Sequence, residues 1–124
     1  MTVKLANGTI LEPILVTGEG RYVQGFNRDV LTFVFPATES MDALDAAFTA
    51  EACETIIIDE TNIHSAYTVR VEIKKDSVVV AEATANTKEV REDRIFVSMG
   101  QRTYLESQLQ RMNEALNAVG VESI

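Results

Sequence analysis

DRIFVSMGQRTYLESQLQRMNEALNAVG, the stretch Asp93–Gly120, is the part around which the rest of the chain is organised. Side chains alternate from Ile95 to Met99 so that one face is wholly apolar, which predicts a half-buried strand. Gly100 breaks this run. Thr103-Tyr104-Leu105-Glu106 then has the form of a capping box, in which the threonine hydroxyl accepts from a free N–H of the first turn and the glutamate reaches back. The stretch therefore predicts a strand that leads directly into a helix.

The predicted C-terminal helix, residues 103–119, has one apolar stripe that forms a candidate interface. Its members recur at steps of four, three, four and three: Leu105, Leu109, Met112, Leu116 and Val119. Gly120 lies where a glycine commonly ends a helix. Docking of the stripe on the protein's own sheet is the favoured interpretation, and packing on a neighbouring subunit is the alternative. Weakly charged flanks support the alternative: Ser107, Gln108, Gln110, Asn113 and Asn117.

The N-terminal part, residues 1–53, predicts strands followed by a helix. Asn7-Gly8 lies between two short apolar runs, which is a strong hairpin signal because both turn residues must accept positive φ. Gly18-Glu19-Gly20 predicts a further turn. Asp29–Phe35 is apolar on both faces and predicts a central strand covered on both sides. Ser40 is a candidate N-cap for a helix over residues 40–53.

Residues 54–99 predict further strands. Thr55–Ile58 is β-branched throughout and predicts a short buried strand. Tyr67–Lys74 alternates between apolar and polar side chains, and Asp76-Ser77 predicts a turn into a second arm at Val78–Val80. Ala81–Glu92 has few apolar anchors and predicts either a contact arm or a mobile surface loop. The fold class is therefore α+β: one domain over residues 1–124, with a mostly antiparallel sheet or sandwich of about six or seven strands and two helices.

Composition and charge exclude several classes of function. The formal charge of the 124-residue chain is −8, which disfavours nucleic acid as a partner because binding to phosphates needs clustered cations. No apolar run is long enough for a membrane helix, and the N-terminus lacks a secretory signal. The sequence thus predicts a protein that is made in the cytosol and either stays there or leaves it within an assembly.

The sequence has no motif that identifies a reaction, a cofactor or a metal. His64 is the one histidine, and its spacing from Asp59 and Glu60 matches no metal-ligand pattern. A small enzyme centred on His64 is nevertheless retained as a third hypothesis. Cys53 has no partner for a disulfide or a metal pair, and a buried, inert thiol is the expectation.

A second hypothesis concerns Gly18–Arg28, a segment rich in polar and aromatic side chains. These residues suit a small module that binds a carbohydrate or a peptide. The candidate ligand residues are Arg21, Tyr22, Gln24, Asn27 and Arg28.

The order of the elements over nearly the whole length resembles a group of short proteins encoded among the tail and baseplate genes of phages and prophages of Gram-positive bacteria. Five segments carry the resemblance: Lys4–Leu11, Asp29–Phe35, Met41–Ala52, His64–Ile73 and Glu92–Leu109. It implies a structural subunit of the tail tip or baseplate, oligomeric through contacts with itself or with other phage tail proteins. It also implies synthesis in the host cytoplasm and a final location in the virion. The resemblance brings no catalytic motif.

Overall fold

A computed structural model describes residues 1–118 of the protein, with side chains through Ala115. The predicted α+β class is confirmed: the fold consists of two four-stranded antiparallel sheets and two α-helices. The strands are β1 (Val3–Leu5), β2 (Ile10–Leu11), β3 (Leu15–Val23), β4 (Phe26–Pro36), β5 (Thr55–Ile58), β6 (Asn62–Ser65), β7 (Val69–Ala81) and β8 (Val90–Gly100). The helices are α1 (Met41–Ala47) and α2 (Tyr104–Ala118), and a 3₁₀ turn spans Ala52–Glu54.

The described residues form eight strands, compared with the six or seven expected from the sequence. The smaller sheet has the order β2-β1-β5-β6, and the larger sheet has the order β3-β4-β8-β7. β4 and β8 are the two inner strands of the larger sheet, and the residues Val30–Phe35 of β4 are all buried. This confirms the prediction that Asp29–Phe35 contains a central strand with both faces covered.

An aromatic cluster lies at the centre of the core. Phe33 and Phe35 of β4 contact Phe48, with ring centroids 5.0 Å and 6.1 Å apart respectively. Phe48 follows α1 directly and is 1% exposed. The core also includes buried residues of both sheets, such as Val3, Ile56 and Val97. The cluster therefore joins the two sheets and α1.

The first helix is shorter than the predicted span of residues 40–53. It begins as expected, with the Ser40 hydroxyl accepting from Ala43 N at 3.2 Å. At its end, the Arg70 guanidinium donates to the backbone oxygens of Asp45 and Phe48, at 3.1 and 2.8 Å. These bonds satisfy carbonyls that a longer helix would have used internally. A cation from β7, distant in sequence, thus fixes the end of α1.

The two turn predictions in the N-terminal part gave mixed results. The Asn7-Gly8 hairpin is confirmed, with Gly8 at φ +88°. The predicted turn at Gly18-Glu19-Gly20 is wrong, because β3 continues through it paired with β4. The chain turns instead at Gln24-Gly25, where φ is 50° and 84°. Cross-strand pairing overrides the turn preference of the earlier glycines, whose positions need no positive φ.

The turn predicted at Asp76-Ser77 is also wrong. β7 runs through it, and Asp76 and Ser77 pair with Arg94 and Asp93 of β8. Since β8 begins at Val90, the loop predicted over residues 81–92 shortens to 82–89. β4 pairs with β8 only as far as Arg94, whereas β7 continues to pair with β8 from Asp93 to Val90. The end of the β7–β8 hairpin is thus a two-stranded arm.

Removing the Phe48 ring tests whether the aromatic cluster holds the two sheets together. We expect Phe48→Ala to lower the free energy of unfolding by about 3–5 kcal/mol, because it deletes a buried aromatic side chain from a packed core. Urea unfolding monitored by circular dichroism measures the loss. Tyr22→Ala removes an exposed ring and serves as the matched control, with an expected loss below about 1 kcal/mol. Equal losses in the two variants would contradict this description of the core.

Candidate functional site

The start of α2 is held by the capping box that the sequence predicts. The backbone N–H of Thr103 donates to Glu106 Oε1 at 3.0 Å, and the N–H of Glu106 donates to Thr103 Oγ1 at 3.3 Å. Two of the free N–H donors at the start of the helix are thereby satisfied from within the motif. Glu106 is consequently fixed in position at the point where the chain leaves the larger sheet.

Arg28 of β4 links this first turn to the sheet. Its side chain is fully buried, and its Nη1 donates to Glu106 Oε1 at 2.8 Å and to the backbone oxygen of Gln101 at 3.1 Å. Its Nε donates to the Val23 oxygen at 3.1 Å. Nη2 is one of two buried side-chain nitrogens in the described residues that have no hydrogen-bond partner. The sequence predicted Arg28 as a ligand residue, and the structure shows that it also joins β3, β8 and α2.

Gly100 makes room for the Arg28 side chain. A Cβ atom at this position would lie 2.7 Å from Arg28 Cδ and 3.2 Å from Val71 Cγ2. The first distance is too short for any side chain without movement of the arginine. The sequence showed Gly100 only as the end of a strand, whereas the structure gives it this second role.

Arg102 fastens the next part of α2 to the domain. Its Nε donates to Ser107 Oγ at 2.9 Å, and its Nη1 donates to Gln110 Oε1 at 3.0 Å. Nη1 also donates to Glu54 Oε1 at 2.9 Å, which ties the helix to the segment between α1 and β5. The described contacts between α2 and the domain are therefore polar and come from the first turns of the helix.

The apolar stripe of α2 faces away from the domain core. Leu105, Leu109 and Met112 are 54%, 51% and 61% exposed. Glu106 lies only about 100° from Leu105 around the helix axis, and every side chain from Leu109 to Ala115 is exposed, so α2 extends from the domain after its first turns. No α2 side chain through Ala115 belongs to the core cluster. The favoured docking interpretation is therefore wrong for this part of the helix.

The rest of the predicted stripe cannot be placed in the same way. The backbone of Leu116 belongs to α2, but its side chain is not among those described. Val119 and the predicted helix end at Gly120 lie outside the described residues.

A cleft opens beside the first turn of α2, between the β3–β4 hairpin and the β8–α2 connection. Its volume is about 510 Å³, within the range of small-molecule sites. The lining residues are Gly20, Arg21, Tyr22, Asn27, Arg28, Asp29, Gln101, Arg102, Thr103 and Tyr104. The structure thus brings Arg21, Tyr22, Asn27 and Arg28 together, while Gln24 lies in the hairpin turn and does not line the cleft.

The other half of the cleft was not predicted. Residues Gln101–Tyr104 follow Arg28 by more than seventy positions, and the hydrogen bond between Arg28 and Gln101 spans 73. No local pattern connects the two segments, because the antiparallel pairing of β4 with β8 brings them together. In the sequence, the signal that could have indicated this half of the cleft is the pair Arg102 and Tyr104, which flanks the start of a capped helix.

Each arginine of the cleft has a carboxylate partner. Arg28 pairs with Glu106 and Arg102 with Glu54, at 2.8 and 2.9 Å. Arg21 pairs with Glu19 in the neighbouring part of β3. Asp29 adds a further carboxylate to the lining. The positive charge of the guanidinium groups is therefore locally balanced, although their N–H groups still define the hydrogen-bonding character of the walls.

His64 lies on the other sheet, in β6, paired with Ile56 of β5. Its ring packs edge-on against Tyr67, with centroids 5.8 Å apart. Asp59, which the sequence placed near it, instead accepts from the backbone N–H of Thr2 at 3.0 Å. The hypothesis of an enzyme centred on His64 remains a prediction, and among the side chains described through Ala115 no carboxylate contacts this histidine.

Cys53 is buried in the 3₁₀ turn. Burial raises the pKa of its thiol to about 11, and the nearby charge of Arg70 lowers it only in part. Since the thiolate is the nucleophilic form, the thiol is unreactive near neutral pH. This matches the buried, inert cysteine expected from the sequence.

The Glu106 carboxylate gives a pH-dependent test of the link between α2 and the sheet. Burial alone raises the pKa of Glu106, but hydrogen bonds from Thr103 and Arg28 outweigh it, so the pKa lies below the ordinary value of 4.5. A lowered pKa means that the ionised form is favoured in the folded state. Its contribution is complete above the unfolded-state pKa and is lost as pH falls through the folded-state pKa.

We expect Glu106→Gln to lower the free energy of unfolding by about 1–3 kcal/mol at pH 7, since it leaves the buried Arg28 charge without its carboxylate. The difference between wild type and variant should shrink as the pH falls from about 6 to about 3. Urea unfolding across this range measures it. Glu114→Gln, an exposed carboxylate on the same helix, is the control and should show little change at any pH. A pH-independent difference would contradict the assignment.

Three further findings concern metal ions, membranes and related proteins. Among residues 1–118, no group of three His, Cys, Asp or Glu side chains is arranged to hold a metal ion. In the same part of the chain, no helix combines the length and the apolar character needed to cross a membrane. The chain matches no protein-family model, no curated protein and no solved structure.

Proposed function

We propose that the protein is a structural subunit that assembles with copies of itself or with other proteins through the apolar stripe of α2. The observation that carries the proposal is the exposure of Leu105, Leu109 and Met112, while the described contacts between α2 and the domain are polar. The apolar stripe of a surface helix normally packs on the core. A partner surface that covers the stripe would bury it instead.

The size of the stripe indicates what kind of contact it can make. Full burial of one Leu or Met side chain contributes about 1.5–3 kcal/mol, so covering three half-exposed ones yields on the order of 2–4 kcal/mol. Association costs at least about 4 kcal/mol in lost translational and rotational freedom. The described stripe is therefore too small for a tight isolated dimer. It suits one contact among several in a larger assembly, where neighbouring contacts share the entropic cost.

A phage or prophage tail, at its tip or baseplate, is the assembly that we propose. The support for this choice is the resemblance in the order of elements to short tail and baseplate proteins of phages of Gram-positive bacteria. A ring or tube of repeated subunits is also the setting in which a modest helix contact becomes effective. Within this proposal the protein is made in the host cytoplasm and ends in the virion.

A ligand-binding module is the second candidate function. The observation that favours it is the cleft, which collects Arg21, Tyr22, Asn27 and Arg28 from the hairpin predicted to bind a carbohydrate or peptide. The two candidates are compatible, because the cleft and the stripe occupy different sides of α2.

Charge placed on the stripe tests the assembly role. We expect Leu109→Glu and Met112→Glu to fold normally, because both side chains are more than half exposed, and to lose association at least tenfold. Mass spectrometry of particles purified from an induced culture measures how much of each variant is incorporated, in the setting where the neighbouring contacts are present. Circular dichroism confirms folding.

Gln110→Glu is the matched control, since it adds the same residue next to Arg102 on the tethered side of the helix. It should leave both folding and association unchanged. Unfolding of the stripe variants would show instead that the stripe belongs to the core. Equal incorporation of the wild type and of both stripe variants into particles would contradict an assembly role for the stripe.

Location in the virion tests the tail role directly. Particles induced from the bacterial strain that encodes the chain should carry gold-labelled antibody at one end of the tail in electron micrographs. Antibody blocked with the purified protein is the control. Particles carrying the Leu109→Glu variant should lose the label, because the stripe no longer docks. Wild-type particles without label, and without the protein by mass spectrometry, would contradict the proposal.

A further inference from the structure

We propose that the cleft beside α2 binds an uncharged saccharide, with Tyr22 and Tyr104 packing against the sugar and Arg28, Asp29 and Gln101 binding its hydroxyl groups. This inference rests on the ligand-binding candidate and not on the assembly role. It names a ligand class and assigns the site to two segments, the β3–β4 hairpin and the β8–α2 connection.

The two tyrosines provide the apolar surface of the site. Tyr22 of β3 is 72% exposed and Tyr104 of α2 is 79% exposed, and both line the cleft. Exposed aromatic rings at the mouth of a polar cleft offer an apolar body with a polar tip. The face of a sugar ring has the same mixed character, with C–H groups on one side and hydroxyl groups around the edge.

The polar lining supplies both donors and acceptors. Asn27, Gln101 and Thr103 can each donate and accept, and Asp29 is an acceptor. A sugar hydroxyl also donates and accepts, so it can satisfy either kind of group. None of the lining residues is aliphatic, so Tyr22 and Tyr104 are the hydrophobic side chains that line the cleft.

Arg28 has one terminal nitrogen, Nη2, that lacks a hydrogen-bond acceptor. Its Nε and Nη1 are used by Val23, Gln101 and Glu106, while Nη2 is buried without a partner. A buried unsatisfied donor is unfavourable, and a ligand oxygen would relieve it. Because that nitrogen is sealed from solvent, neighbouring side chains must shift slightly to admit the oxygen.

Charge decides between a neutral and an anionic ligand. The three guanidinium groups already pair with Glu19, Glu106 and Glu54, and Asp29 leaves the surroundings of the cleft with more carboxylates than guanidinium groups. The whole chain has a formal charge of −8. A phosphate or carboxylate would have to compete with these glutamates, whereas a hydroxylated neutral ring would not.

Saturation-transfer NMR on the full chain tests the proposal. The saccharide probes are uncharged tetramers of glucose, galactose and N-acetylglucosamine, and the competing probes are inorganic phosphate and a blocked, uncharged tetrapeptide. We expect at least one saccharide to receive saturation on its ring protons and to perturb the resonances of Tyr22 and Tyr104. Its affinity should fall at least about fivefold in Tyr22→Ala and in Tyr104→Ala.

Two control variants separate the site from general effects. Tyr22→Phe keeps the ring and should retain binding. Ile63→Ala truncates a side chain that is 66% exposed on the other sheet and should also retain it. Equal binding by wild type and both alanine variants would overturn the site assignment.

The competing probes distinguish failure of this inference from failure of the ligand-binding candidate. Phosphate or tetrapeptide that perturbs Tyr22 and Tyr104, without saccharide binding, would overturn the saccharide and retain a ligand site. No perturbation by any probe at about 10 mM would overturn both.

Discussion

The buried guanidinium of Arg28 is the interaction on which the functional half of the structure depends. It bonds to the backbone of Val23 at the hairpin, to the backbone of Gln101 after β8, and to the Glu106 carboxylate in α2. A buried charge is tolerated only when it is paired and hydrogen-bonded. The three segments must therefore hold their relative positions for the arginine to remain in place, and Gly100 must remain without a side chain.

This constraint fixes the start of α2. Glu106 and Ser107 bond to Arg28 and Arg102, so polar side chains hold the first turn while the apolar stripe stays exposed. The periodicity of the sequence identifies the stripe correctly but contains no information about its direction. That information lies in contacts such as the one between Arg28 and Glu106, which spans 78 positions. The default interpretation, that an apolar stripe docks on its own domain, fails for this reason.

The sequence predicts features that depend on a few neighbouring residues, and it does not predict features that depend on pairing between distant segments. Signals that are complete within a few residues are confirmed: the cap at Ser40, the capping box at Thr103 and the hairpin at Asn7-Gly8. Turn signals that compete with cross-strand pairing give wrong predictions. At Gly18–Gly20, for example, pairing with β4 keeps β3 extended where a turn was predicted. The site divides along this line as well, because the hairpin half is contiguous in sequence and the α2 half joins it only through sheet topology.

The cleft and the stripe share the first turn of α2, which gives the proposed functions a physical connection. Tyr104 lines the cleft, and its neighbour Leu105 begins the stripe. Arg28 lines the cleft and also bonds to Glu106 in the first turn of α2. The proposed ligand site and the start of α2 therefore depend on the same guanidinium group, whose Nη1 bonds to both Gln101 and Glu106.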